Sequence, residues 1–331
     1  MRRSWAGLAG PATGLAFGLV VSLVVGLVVI AVGLSACRPE LDDRTFLVDR
    51  VRVLAVRADP PEALPGQATQ LSVLVADGTG ARPDLTLDLA FCSEKKALAE
   101  SSPVSASCLD DRSILRFDGL AGALPAEVCG RFGPERLPGK DGEPSGRPSD
   151  PDGTGGYYQP GRVRVGGVPA ADPALFEVRA TCGLPGATLE VVAGFGARYV
   201  ANRNPALTVR VDDREIGEGA TIEATIGQAL ALTATWPTCD VPGPCEGAER
   251  YVAFDPATRT LVDRREAMRV SWLSTGGNLR DDRTGREEGE LDTRTATVFT
   301  APQEARTATV FVVLRDTRGG VVWRTFRVTT R

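Results

Sequence analysis

Thr307-Ala308-Thr309-Val310-Phe311-Val312-Val313-Leu314-Arg315-Asp316-Thr317-Arg318-Gly319-Gly320-Val321-Val322-Trp323 decides the fold class of this 331-residue chain. Two apolar, β-branched runs of strand length flank Asp316-Thr317-Arg318-Gly319-Gly320, whose glycines supply the positive φ of a tight turn. Residues 307–315 and 321–329 are therefore predicted to form a hairpin. The same pattern recurs upstream, with candidate strands at 206–211, 220–226, 229–236, 250–254, 268–273 and 295–300. Strand side chains repeat every second residue, so Leu230, Leu232, Ala234 and Trp236 share one face, as do Met268, Val270 and Trp272. These are predicted core faces, with Trp272 a central packing residue. Seven or eight short strands over about 125 residues fit an Ig-like antiparallel sandwich.

The first half reads in the same way, with strands predicted at 48–57, 68–76, 85–92, 113–117, 162–165, 175–182 and 188–200. Ala201-Asn202-Arg203-Asn204-Pro205 interrupts the pattern and reads as a boundary. A Gly/Pro-rich insertion occupies 93–160, and its stretch 130–156 is too poor in apolar residues to pack well. The predicted class is all-β, with two Ig-like antiparallel β-sandwich domains. The expected division is a signal peptide at 1–36, a tether at 37–45, a first sandwich at 46–200, a linker at 201–205 and a second sandwich at 206–331.

The signal peptide is read from Arg2 and Arg3, the apolar stretch Gly14 to Gly33, and Leu34-Ser35-Ala36-Cys37. These four residues match the lipobox, and the leader resembles a bacterial lipoprotein signal. The resemblance implies cleavage before Cys37, diacylglycerol on its sulfur and acylation, as by palmitate, of the new amine. The alternative is an uncleaved anchor, because about 20 apolar residues span a bilayer. Either way the remainder lies outside the cytoplasm. The expected partner is a membrane, held through acyl chains on Cys37, each buried CH₂ contributing about 0.8 kcal/mol. Arg38, where an Asp would imply inner-membrane retention, leans toward the outer membrane.

Composition removes several function classes. Without Arg2 and Arg3, 36 basic residues face 42 acidic ones, and that net charge of −6 argues against a nucleic-acid partner. Only Lys95, Lys96 and Lys140 are lysines. The many arginines are expected on solvated strand faces. No histidine is present, so Ser-His-Asp and Cys-His catalysis have no general base. Zinc loses its commonest nitrogen ligand, no CxxC occurs, and neither a metal nor a cofactor is expected.

Cys92, Cys108, Cys129, Cys182, Cys239 and Cys245 form an even set for an oxidising compartment, where disulfides are the default. Cys239 and Cys245 flank a stiff turn and are expected to close a local loop. The other four fit either Cys92 to Cys108 with Cys129 to Cys182 or a crossed arrangement. Weaker signals are set aside. Ser93-Glu94-Lys95-Lys96 matches Ser-x-x-Lys without its companion motifs. Asp150 to Gly155 hints at a calcium loop but has Gly161 where a bidentate Glu belongs, leaving Asp281-Asp282 as a loose carboxylate turn. Tyr157, Tyr158, Arg162 and Arg164 suggest a glycan or peptide contact or, more simply, packing at a loop base.

Val270-Ser271-Trp272, Thr275-Gly276-Gly277, Thr300-Ala301-Pro302 and the strand from Val310 to Asp316 with Arg318-Gly319-Gly320 resemble the Ig-like and PKD-like repeats of bacterial surface proteins. Residues 52–61 with Pro65-Gly66 resemble the opening of lipoproteins from GC-rich Gram-negative bacteria, a likeness that implies location and fold but no activity. The expectation is a lipid-anchored cell-envelope protein, not an enzyme, acting as a binding or structural module with an envelope protein or polysaccharide partner. The alternative is a hydrolase acting on polysaccharide, with two carboxylates facing each other across an aromatic-lined cleft.

Overall fold

Strand β20 (Thr307–Asp316) carries apolar residues at successive positions, and both of its faces are buried. Ala308, Val310, Val312 and Leu314 enter one core. Phe311 and Val313 enter another. Strands buried on both faces read as continuous apolar runs rather than alternating ones. That explains why Val310 to Leu314 contains no polar residue.

The computed structural model describes residues 44–97, 99–133, 153–167, 173–184, 187–241 and 243–331. Cys37 and the leader lie outside them, as does most of the predicted 130–156 loop. Phe46–Arg331 form one compact unit, within which four larger sheets stack face to face. In the sheet that holds β20, the order is β12 (Thr221–Ala224), β21 (Val321–Thr330), β20, β16 (Met268–Ser274) and β18 (Arg283–Arg286). Against it lies a sheet of β11 (Arg214–Ile216), β10 (Thr208–Val211), β13 (Ala229–Thr235), β19 (Arg294–Thr300) and β17 (Asn278–Leu279). Leu230, Leu232, Ala234, Trp236, Met268, Val270 and Trp272 all lie in the core between these two sheets. Trp272 is fully buried, and its indole N–H donates to Thr284 Oγ1 at 2.8 Å.

The first half supplies the other two sheets. One joins β1 (Arg52–Asp59), β3 (Ala68–Asp77) and β4 (Gly80–Ala81), with β7 (Ala121–Ala123) on β3. The other runs β2 (Glu62–Ala63), β9 (Ala174–Thr181), β8 (Gly156–Val165), β5 (Leu87–Cys92) and β6 (Ile114–Arg116). Leu71, Leu89, Phe91, Val163, Phe176 and Val178 fill the space between them. The pairing of β1 with β3 slips between Val53 and Ala55. This bulge lets Val53 and Val56 face that core while Leu54 and Ala55 turn the other way. Leu54, Ala55, Leu74 and Ala76 then pack on Leu273, Phe311, Val313 and Val321. That apolar layer joins the two sandwiches.

The all-β class is as expected, with differences in detail. Residues 188–200, expected as a strand, form helix α3 (Leu189–Arg198), after the short helices α1 (Ala106–Leu109) and α2 (Val128–Phe132). Thr188 caps α3 by accepting from Val191 N, Glu190 sits in its first turn and Arg198 in its last, as the helix dipole favours. Val191, Phe195 and Tyr199, four residues apart, pack on Val252, Phe254 and Leu261 of the hairpin β14 (Arg250–Asp255) and β15 (Thr260–Arg265). The β-branched valines masked this period. Nor are the sheets wholly antiparallel: β12 pairs with β21, and β2 with β9, in parallel. The insertion carries α1, β6, β7 and α2, and β8 begins at Gly156, ahead of the expected 162.

Replacing Phe311 with Ala is expected to cost about 3–5 kcal/mol, the usual loss for a fully buried Phe, read from the urea midpoint. A loss under about 1 kcal/mol would mean that the layer between the sandwiches is not closed.

Candidate functional site

The hairpin between β20 and β21 places a strongly shifted group of side chains at one end of the sheet stack. Asp316 Oδ1 accepts from the backbone N–H of Arg318 and of Gly320, each at 2.8 Å. A Cβ on Gly320 would stand 2.0 Å from Asp316 Oδ2, so glycine is needed there for close approach, while Gly319 supplies the turn's positive φ. This turn aims Arg318 inward, 2% exposed. Its Nε donates to Glu266 Oε1 and its Nη2 to Glu249 Oε2, both at 2.8 Å. Nη1 donates to Val200 O at 3.0 Å, and the guanidinium stacks 4.9 Å from the centroid of Tyr251. An arginine suits this place because its planar fork serves several acceptors at once.

The network continues into the first half through Asn202. Its side-chain amide donates to Asp316 Oδ1 at 3.2 Å, and its backbone N–H donates to Glu62 Oε2 at 2.8 Å. Glu62 also accepts from the hydroxyls of Thr181 and Tyr199 and pairs with Arg179 Nε at 3.3 Å. Arg179 in turn donates to Thr154 O and Oγ1. Ala201 to Pro205, predicted as a linker, is pinned inside this joint, with Asn204 donating to Ala58 O and accepting from Val321 N.

Burial raises Glu266 well above its ordinary 4.5, and the neighbouring Asp316 and Glu249 carboxylates push the same way against Arg318. Glu249 and Asp316 are also raised, first by burial. Arg318 is raised despite burial, because Glu266 and the other carboxylates favour its charge. Shifts of this kind attend active sites and structural ion-pair networks alike. Every carboxylate here is engaged by donors inside the body, an arrangement suited to holding elements together.

The cysteines pair as Cys92–Cys108, Cys129–Cys182 and Cys239–Cys245, the uncrossed arrangement. The first fastens α1 beside β8, where Arg162 is fully buried. Arg162 donates to Asp88 Oδ2 at 3.0 Å, to Cys108 O at 3.2 Å and to Asp111, and Arg164 also reaches Asp111. These arginines anchor the insertion, and Tyr157 is buried, so this group is packing rather than an exposed contact surface. Arg162, Arg179 and Arg318 are buried exceptions to the expectation that most arginines are solvated, and a buried charge needs the partners that each of them has. Lys96 is exposed, and no hydrogen bond joins it to Ser93. Asp281 pairs with Arg280 at 3.0 Å. Among the described residues no group of three or more acidic, Cys or His side chains is arranged to hold a metal ion.

An open groove of about 410 Å³ lies beside the joint. Val53 to Val56 of β1, Ala174 to Glu177 of β9, Pro103, Val104, Arg315 and Val321 line it. Both strand segments are sheet edges, since β1 pairs only with β3, and β9 meets β2 only at Arg179 and Ala180. Arg315 donates to Leu54 O at 2.8 Å. Among the described residues Glu177 is the one acid lining the groove, and the surrounding walls raise its carboxyl above the ordinary value by desolvation, although the side chain stays open to solvent.

None of the groups that form the joint was singled out in the sequence. Asp316 and Arg318 read as turn residues, Asn202 as linker and Arg179 as one of the arginines, and Glu62, Glu249 and Glu266 carry no motif. One signal was available: Glu266 directly precedes the apolar face Met268, Val270 and Trp272.

No protein-family model matches the chain, and no curated protein matches it. Solved structures that resemble it include a nucleoside hydrolase-related hypothetical protein from Saccharophagus degradans, at 11% identity over 39% of this chain and 26% of that one, TM-score 0.23. The adhesin InvE of Yersinia pseudotuberculosis is similar at 10% identity over 83% of this chain and 58% of that one, TM-score 0.23. The D0-D1 domain of Intimin is similar at 10% identity over 84% of this chain and 99% of that one, TM-score 0.22. The chain thus spans about a quarter of the first and somewhat over half of the second. Likeness at this level assigns neither kinship nor activity.

Two outcomes are expected for the charge cluster. Arg318→Met leaves buried carboxylates without their cation and is expected to cost about 3–5 kcal/mol by chemical denaturation. Because Glu266 holds its proton in the folded state above pH 4.5, where the unfolded chain has lost it, its contribution is full below that value. It fades as pH rises through the folded value. Melting curves should therefore show wild type losing more stability than Glu266→Gln as pH rises above 4.5. Equal losses would mean that Glu266 ionises normally.

Proposed function

We propose that this chain is a lipid-anchored protein of the cell envelope, held at the outer membrane by acyl chains on Cys37, that acts as a non-catalytic binding or structural module. The observation that carries the module reading is the division of labour among its carboxylates. The buried ones, Glu249, Glu266 and Asp316, are locked by Arg318, Asn202 and backbone N–H groups inside the body. The open groove is walled instead by strand edges and apolar side chains, with Glu177 and Arg315 as its charged members. Three disulfides suit an oxidising compartment. Among the described residues no helix is long and apolar enough to cross a membrane, and the anchoring reading rests on the lipobox at Leu34 to Cys37.

The hydrolase alternative starts from Glu177, a carboxyl with a raised pKa in a groove. Glycoside hydrolysis needs a second carboxylate about 5–9 Å away, and among the described residues the groove's lining offers Arg315 rather than a second acid. The module reading is therefore preferred.

Cys37→Ala is expected to leave the protein unprocessed or to release it from membranes, as read by fractionation and intact mass of the mature chain. A variant that fractionates and matures like wild type would overturn the anchoring reading.

A further inference from the structure

The last strands of the two sandwiches, β9 and β21, are both met in parallel by a short strand, but their edges are finished differently. Strand β12 covers Arg327 to Thr330 of β21, and the positions before it are occupied as well. Thr325 N donates to Glu218, Thr325 O accepts from Gly219 N, and Val321 N donates to Asn204. On β9 the equivalent strand β2 covers only Arg179 and Ala180. Among the described residues Ala174 to Glu177 have strand partners on the β8 side alone, and no side chain caps their outer edge.

Exposed edges are usually blunted by charge, proline or bulges, because unpaired backbone groups invite another strand. The edges of β11, β12 and β18 carry Arg214, Glu215, Glu223, Arg283 and Arg286. Strand β1 carries its bulge at Leu54. Between Pro173 and Glu177 the run Ala174-Leu175-Phe176 has no charge, proline or bulge of its own and keeps regular register with β8 from Gly156 to Val163. Beside it, Glu177 has neither an ion pair nor a hydrogen bond from any side chain among the described residues. Leu175 and Glu177 lie on one face of the sheet, opposite Phe176 and Val178 of the core.

We propose that the edge of β9 from Ala174 to Glu177 is a β-augmentation site that takes an extended segment of a partner polypeptide, with a basic side chain opposite Glu177 and an apolar one beside Leu175. Main-chain bonds supply affinity in this mode and alternate side chains supply specificity. Directly opposed pairs on adjacent strands lie close enough for a cation to meet the Glu177 carboxylate. The other face of the added strand would lie over Val53 to Val56, which form the facing wall. The inference deepens the module reading and rests on it, naming its partner as polypeptide rather than polysaccharide.

The test is selection of a displayed library of random dodecapeptides on the mature full-length chain. Enriched sequences should alternate apolar and polar residues around an Arg or Lys. A selected peptide should slow amide exchange at Ala174 to Glu177, and Glu177→Gln should weaken it by about tenfold, as loss of a charged hydrogen bond would. No enrichment over an unrelated sandwich protein, unchanged binding to Glu177→Gln, or protection elsewhere would overturn the proposal. Protection of this edge by envelope oligosaccharides in place of peptides would also overturn it. Failure of the anchoring reading shows separately, in the fractionation of Cys37→Ala.

Discussion

The sheet of β20, β21 and β16 has apolar surface on both sides and must be covered on both. One cover is the sheet of β13 and β19, which completes an Ig-like sandwich around Trp272. The other is the pair β1 and β3, which turns Leu54, Ala55, Leu74 and Ala76 onto Phe311 and Val313. Burial of apolar area is the main term that holds these layers together. Most other features of the chain follow from closing a four-sheet stack at its ends.

The Arg318 cluster closes one such end. Strand β1 leaves the inner layer through Pro60 and Pro61, β9 ends at Thr181, and β20 turns back at Asp316, so backbone and side-chain polar groups from both halves converge there. Glu62, Asn202, Asp316, Glu249 and Glu266 would each be costly if buried alone. Two arginines and the N–H groups of a tight turn supply their donors. Such networks specify geometry more than they add stability. Here the network ties the first sandwich to the second through Asn202, which bonds both Glu62 and Asp316.

Much of the fold was legible in the sequence. Alternation at Leu230 to Trp236 and at Met268 to Trp272 set two core faces, and Asp316 to Gly320 set the hairpin. Thr188 to Val200 misled because Val191 and Val192 favour strands, while the helical spacing of Val191, Phe195 and Tyr199 acquires meaning only against Leu261 and Val252. The joint was illegible for a different reason. Charged residues distant in sequence carry no period, so nothing in Arg318 or Glu249 announces that each is the other's partner. The open edge of β9 was hidden too, because an edge is defined by the strand that is missing beside it.

Native-state hydrogen exchange at rising denaturant tests the central claim, that one shared apolar layer and one charge cluster make the stack a single cooperative body. The account predicts that the slowest amides of β5 and β8 in the first half and of β13 and β19 in the second exchange through the same global opening. They should share one free energy and one denaturant dependence. Two distinct openings, with one half protected while the other exchanges freely, would contradict it.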